Sequence, residues 1–233
     1  MITPVARIDI PGTGPTTVFL PGYASDMEGT KALALEGWAR RSGRGFVRFD
    51  YRGCGASPGA FEDFTLEDWR DDVVSVIDSV AGPAVLVGSS MGGWLMLLAA
   101  LARPGRVVGL VGVAAAPDFT DWGFAAAERA DLMRDGRLER ASDYGAPLVT
   151  TRRFWEAGQR SQLLQASIDI ACPVRLLHGQ CDADVPWDTS LRLADRLRST
   201  DVRVTLVKDG DHRLSRKVDI ALLVATVEGL TLE

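Results

Sequence analysis

At 233 residues and a net charge of −5, the chain is long enough for one domain with a substantial core and has no basic excess suited to nucleic acid. Hydrophobic residues make up 46% and charged residues 24%, an ordinary globular balance that excludes a disordered or fibrous chain. Three cysteines argue against a disulfide framework, and two histidines with dispersed cysteines show no zinc-type spacing, so no metal is expected.

The N-terminus carries Pro4, Arg7, Asp9 and Pro11 in place of an apolar signal region, which makes a cytoplasmic location the default. Thr17 to Leu20 is the first short apolar run, and a helical pattern from Glu28 to Arg41 follows. Arg40, Arg41 and Arg44 read as the solvated end of that helix. Phe46 to Phe49 is a second strand, and Leu66 to Val80 a second helix, with Thr65 and Asp68 spaced as a capping box. Ala84 to Val87, a helix over Met91 to Ala102, and Val107 to Val113 come next. The apolar run Trp94 to Ala102 is too short to span a bilayer, and no membrane span is expected.

From Asp118 to Ile170 the rhythm breaks, with no buried strand but helix-formers at Ala125 to Met133 and Arg152 to Leu164. Trp122, Phe124, Phe154 and Trp155 either wall a substrate pocket beneath a small helical cap or hold the insertion to the core. The cap is the preferred reading. Strands at Val174 to Leu177 and Val202 to Val207 then alternate with helices at Thr189 to Leu197 and Arg216 to Leu230. Short runs this apolar suit strands buried on both faces, so residues 1–233 are read as one α/β domain: a mainly parallel central sheet flanked by helices, with the cap at 118–170.

Gly-x-Ser-x-Gly occurs twice. Gly88-Ser89-Ser90-Met91-Gly92 follows a strand pattern and opens an apolar helix, as a nucleophile elbow requires. In Gly55-Ala56-Ser57-Pro58-Gly59 the residue after the serine is proline, which has no N–H to offer an oxyanion, so Ser57 reads as a turn residue. A phosphate loop is disfavoured because its lysine is missing.

A serine nucleophile needs a base, and imidazole, titrating near ~6.5, suits the task. His212 lies in the polar loop between the last strand and the last helix, where it can reach across the sheet's carboxyl edge. His178 ends a strand pattern and reads as structural. The acid that orients the base is assigned to Asp182, with Asp184 its main rival. Ser90, Asp182, His212 is the chain order expected of such a triad.

Leu20-Pro21-Gly22-Tyr23, Asp50-Tyr51-Arg52-Gly53, Gly88 to Gly93, His178 to Pro186 and Gly210-Asp211-His212 together resemble the α/β-hydrolase (abhydrolase) superfamily over nearly the whole chain. The longer string Leu20 to Lys31, with Gly88 to Trp94, is similar to bacterial relatives of a mitochondrial palmitoyl-protein thioesterase and acyl-glucuronide esterase. The resemblance implies a serine esterase or thioesterase acting on a small-molecule acyl ester or thioester, with no cofactor. It puts Ser90, Asp182 and His212 in the triad and the backbone N–H groups of Tyr23 and Met91 in the oxyanion hole. Cys54 stands where the superfamily often has histidine and reads as a packing residue. Carbon–carbon bond hydrolysis, a peroxidase-like activity and a catalytically silent binding protein stay open as alternatives at this point.

Overall fold

Every apolar run read as a strand lies in one seven-stranded sheet, ordered β1-β3-β2-β4-β5-β8-β9. The strands are β1 (Arg7–Ile10), β2 (Thr13–Leu20), β3 (Arg44–Phe49), β4 (Ala84–Ser89), β5 (Val107–Val113), β8 (Val174–Gly179) and β9 (Val202–Val207). The computed structural model describes residues 4–141 and 147–231. Positions 142–146 of the predicted insertion and the two ends of the predicted 1–233 domain lie outside them. All pairings are parallel except that of the edge strand β1 with β3. β4 and β8 are buried along their whole length because helices cover both faces, whereas the edge strand β9 exposes alternate residues.

Five helices follow the predicted pattern: α1 (Thr30–Ser42), α2 (Leu66–Ser79), α3 (Met91–Ala102), α7 (Asp188–Arg196) and α8 (Lys217–Thr231). α2 opens with both halves of the capping box: Asp68 N–H donates to Thr65 Oγ1 and Thr65 N–H to Asp68 Oδ2. Its stripe Leu66, Trp69, Val73, Val76 and Ile77 packs with Trp94 and Leu97 of α3 against one face of the sheet. On the other face Leu35 and Trp38 of α1 meet Leu223 and Val227 of α8 over Phe46 and Val87. Among the described residues no helix is long and apolar enough to cross a membrane.

The insertion differs from its helical expectation. It holds α4 (Phe119–Trp122), α5 (Ala126–Asp135) and α6 (Arg152–Arg160), and also an antiparallel hairpin, β6 (Arg137–Arg140) with β7 (Leu148–Thr151), outside the main sheet. The sequences RLER and LVTT form half-exposed strands and lack the apolar run that marks a buried one. Asp118, buried at φ 58°, accepts N–H bonds from Leu163 and Leu164 at 2.8 Å each and so clamps the insertion's entry to its exit.

Register carries the fold to the site. Leu20 pairs with Gly88, Ser89 with Val113, Val113 with Leu177, and Gly179 with Val207. The carboxyl ends of β2, β4, β5, β8 and β9 therefore share one edge. β4 stands where the strand order reverses, and in open α/β sheets ligands bind at such a point.

Candidate active site

β4 turns into α3 through a single residue, Ser90, at φ 55° and ψ −121°. A non-glycine residue held there costs about 1–3 kcal/mol, and the surroundings enforce it. A Cβ on Gly88 would sit 2.3 Å from Gly92 O, one on Gly92 2.2 Å from Leu20 O, and one on Gly93 2.5 Å from the Ala115 Cβ. The small residues around Ser90 are thus a steric requirement of the turn. The β2 loop passes alongside: a Cβ on Gly22 would lie 3.5 Å from Ser90 Cβ. Tyr23 follows in that loop. Met91 is the first residue of α3, so its N–H has no acceptor within the helix.

His212 hangs in the loop between β9 and α8. Asp211 Oδ1 accepts the Leu214 N–H, and Lys31 Nζ donates to the Arg213 carbonyl at 2.6 Å, bracing the loop against α1. His212 Nε2 lies 3.1 Å from Ser90 Oγ, and its Nδ1 lies 2.7 Å from Asp182 Oδ2. A carboxylate only accepts, so Nδ1 carries the proton and Nε2 is left to accept from the serine hydroxyl. Asp184 is exposed; its N–H donates to Asp182 Oδ1, and none of the hydrogen bonds to His212 is its own.

Asp182 Oδ1 accepts the N–H groups of Asp184 and Val185, and Oδ2 accepts from His212 and from His178 Nε2 at 3.2 Å. Burial raises the carboxyl pKa, yet the bonds from His178 and His212 outweigh it and hold Asp182 well below the usual carboxylate range. His178 thus holds Asp182 from a second side, a bond that the structural reading of His178 does not include. With Nε2 donating to the carboxylate, Nδ1 accepts from Ser190 Oγ at 2.7 Å. The only available signal was its place at the carboxyl end of β8, four residues before Asp182. Asp182, Asp184 and His212 also hold possible metal-ligand atoms within 4.8 Å of one another. A cation there would have to displace the hydrogen bonds just described.

The depressed Asp182 pKa predicts acid sensitivity. The unfolded chain takes up this proton near pH 3.9 and the folded chain only at lower pH, so the stabilisation is complete above about pH 5 and is lost as pH falls towards the folded value. The difference in melting temperature between wild type and Asp182→Asn is expected to shrink from about pH 6 to about pH 3. A difference that stays constant over that range would contradict the assignment.

Ser57 is buried away from this centre. Its hydroxyl donates to the Asp50 carbonyl and accepts the Ala6 N–H, as befits a turn residue. Burial, with Asp50 and Asp72 nearby, pushes the Cys54 thiol up to about 12, far from a reactive thiolate. The four insertion aromatics part company. Trp122 and Phe124 line a cleft of about 370 Å³ with Ala125, Asp182, Asp184 and Pro186. Phe154 is buried among Tyr23, Trp69 and Phe119, and Trp155 is half-buried with its indole N–H unpaired.

The profile of the alpha/beta hydrolase family matches residues 17–219. The chain belongs to the alpha/beta hydrolase family. It is an enzyme of that family, and the mainly parallel sheet with helices on both faces is the family's fold. The human protein named palmitoyl-protein thioesterase ABHD10, mitochondrial, is 47% identical over 225 residues, covering 94% of this chain and 74% of the human one. The structure of mouse ABHD10 superposes with a TM-score of 0.91 at 42% identity, covering 97% of this chain and 93% of the mouse one. A structure from Agrobacterium vitis S4 reaches 0.92 at 40% identity, with coverage of 97% and 93%. The cytoplasmic default is overturned: the mammalian relatives, human, bovine, orangutan, mouse and rat, are all named as mitochondrial. Lack of an apolar signal region said nothing about that compartment.

Proposed function

We propose that the chain is a serine hydrolase that cleaves carboxylic esters or acyl thioesters through an acyl-enzyme on Ser90. The reading is carried by one observation, the continuous hydrogen-bond chain from Ser90 Oγ through His212 to Asp182. His212 Nε2 takes the hydroxyl proton as Oγ attacks the acyl carbonyl. The N–H groups of Tyr23 and Met91 receive the oxyanion, and the carbonyl re-forms as the alcohol or thiol leaves with the proton from His212. Water, deprotonated by the same nitrogen, then attacks the acyl-enzyme and frees Ser90. Asp182 holds the imidazole tautomer throughout. The thioesterase names of the mammalian relatives support the thioester half of this reading. No feature of the site favours carbon–carbon bond cleavage or a silent binding role.

The substrate follows from the insertion, which we take as a cap over the sheet's carboxyl edge. Trp122, Phe124 and Pro186 offer apolar surface beside Asp182 in a cleft of about 370 Å³. Each acyl methylene buried there contributes about 0.8 kcal/mol, or about fourfold in kcat/KM. A series from acetyl to palmitoyl esters and thioesters is therefore expected to rise with length until the cleft is full. Because the insertion is short, the rise should stop before the longest fatty chains. A flat series, or activity confined to acetyl, would show that the insertion forms no acyl pocket.

A further inference from the structure

Tyr23 connects two parts of the molecule that are far apart in sequence. Its backbone belongs to the β2 loop beside Ser90. Its phenol hydroxyl donates to the carbonyl of Val149, in β7 of the insertion, at 2.6 Å. Its ring is gripped by Phe61, Trp69, Phe119 and Phe154, with centroids between 4.9 and 6.0 Å away. Burial pushes the phenol well above its ordinary range, so it stays a protonated donor. Ala24, the next residue, sits at φ 52°, a conformation that persists only when its surroundings hold it. Ala24 and Val149 also both line a second cleft of about 370 Å³, with Cys54, Phe61 and Pro147.

We propose that Tyr23 is a positioning residue whose hydroxyl bond to Val149 aims its own backbone N–H at the oxyanion, making the β6–β7 hairpin part of the catalytic centre. The proposal rests on the serine-hydrolase reading above. A donor of this kind works only when held within about 0.5 Å of its productive place. The loop's own residues near Ser90 contribute little side chain, Gly22 none and Ala24 a methyl, so it is held by the packed Tyr23 ring, by the Tyr51 hydroxyl donating to the Pro21 carbonyl at 3.1 Å, and by the Tyr23 hydroxyl bond to β7, the one of these that ties it to the hairpin by a hydrogen bond. Anything that shifts the hairpin, including a ligand lodged in the cleft that Ala24 and Val149 line, then changes the aim of the N–H.

The effect has a kinetic signature. An oxyanion donor acts more strongly on the transition state than on the ground-state carbonyl, so loosening it lowers kcat and leaves KM nearly unchanged. Removing such a donor costs on the order of 10²–10³ in rate, and loosening it should cost less, about tenfold. Tyr23→Phe keeps the ring and deletes only the hydroxyl. The expected result is a kcat about tenfold lower, an almost unchanged KM, and a similar loss of affinity for a boronic-acid transition-state analogue. Val149→Gly loosens the same link from the hairpin side and should lower kcat in the same sense; it serves as the test if Tyr23→Phe does not fold. An unchanged kcat in the folded variant, or a loss carried wholly by KM, overturns the proposal and leaves the serine-hydrolase reading intact. Wild-type protein that neither hydrolyses the acyl series nor reacts with a fluorophosphonate overturns both.

Discussion

Ser90→Ala is expected to lower kcat for ester and thioester hydrolysis by about 10⁶-fold, the scale seen when a triad serine is removed. Ser90 is the only serine at the sheet's carboxyl edge within hydrogen-bond distance of His212, at 3.1 Å, among the described residues. Without its Oγ no covalent intermediate forms, and only a small acceleration from binding and the oxyanion donors survives. Ser57→Ala is the control. It removes the acceptor for the half-buried Ala6 N–H, so stability should fall by about 1 kcal/mol while turnover of the folded enzyme stays largely intact. The matched measurement is steady-state kinetics with fluorophosphonate labelling of both variants. Labelling that survives in Ser90→Ala and disappears in Ser57→Ala would reverse the assignment.

Asp182→Asn should cost about 10⁴-fold in kcat. The asparagine side chain can present an N–H to His212 Nδ1 where the carboxylate presents only acceptors. The imidazole would then take the other tautomer, placing a proton on the nitrogen that must accept from Ser90. The amide also weakens the bond to His178, which shares Oδ2. Asp184→Asn should cost far less, since Asp184 reaches Asp182 through its backbone N–H, which the substitution keeps. Kinetics of the two variants side by side decide the matter, and a larger loss in Asp184→Asn would move the acid to that residue.

Much of the fold was legible because its central strands are buried on both faces and so read as unbroken apolar runs. Thr65 and Asp68 announced the start of α2 through local backbone chemistry alone. Ser90 stood out because the proline after Ser57 disqualified the second copy of the motif. What escaped notice depends on contacts distant in sequence or on strands without a buried face. β1 is four residues, RIDI, buried at one position only. The hairpin of the insertion is half-exposed, and its pairing shows only in three dimensions. The Tyr23 bond to Val149 spans 126 positions, and no periodicity records it. His178 reads as a strand-end histidine because it closes the apolar run of β8, and one oxygen serving two imidazoles leaves no trace in spacing.

The acyl-enzyme itself is the most direct object to observe. A p-nitrophenyl ester mixed with the protein, quenched in acid during the first turnovers and measured by intact-protein and peptide mass spectrometry, should show one added acyl group, located on Ser90 and absent from Ser90→Ala. Acylation of another residue, such as Cys181, or continued hydrolysis with no acylated protein at any time, would contradict a mechanism that runs through Ser90.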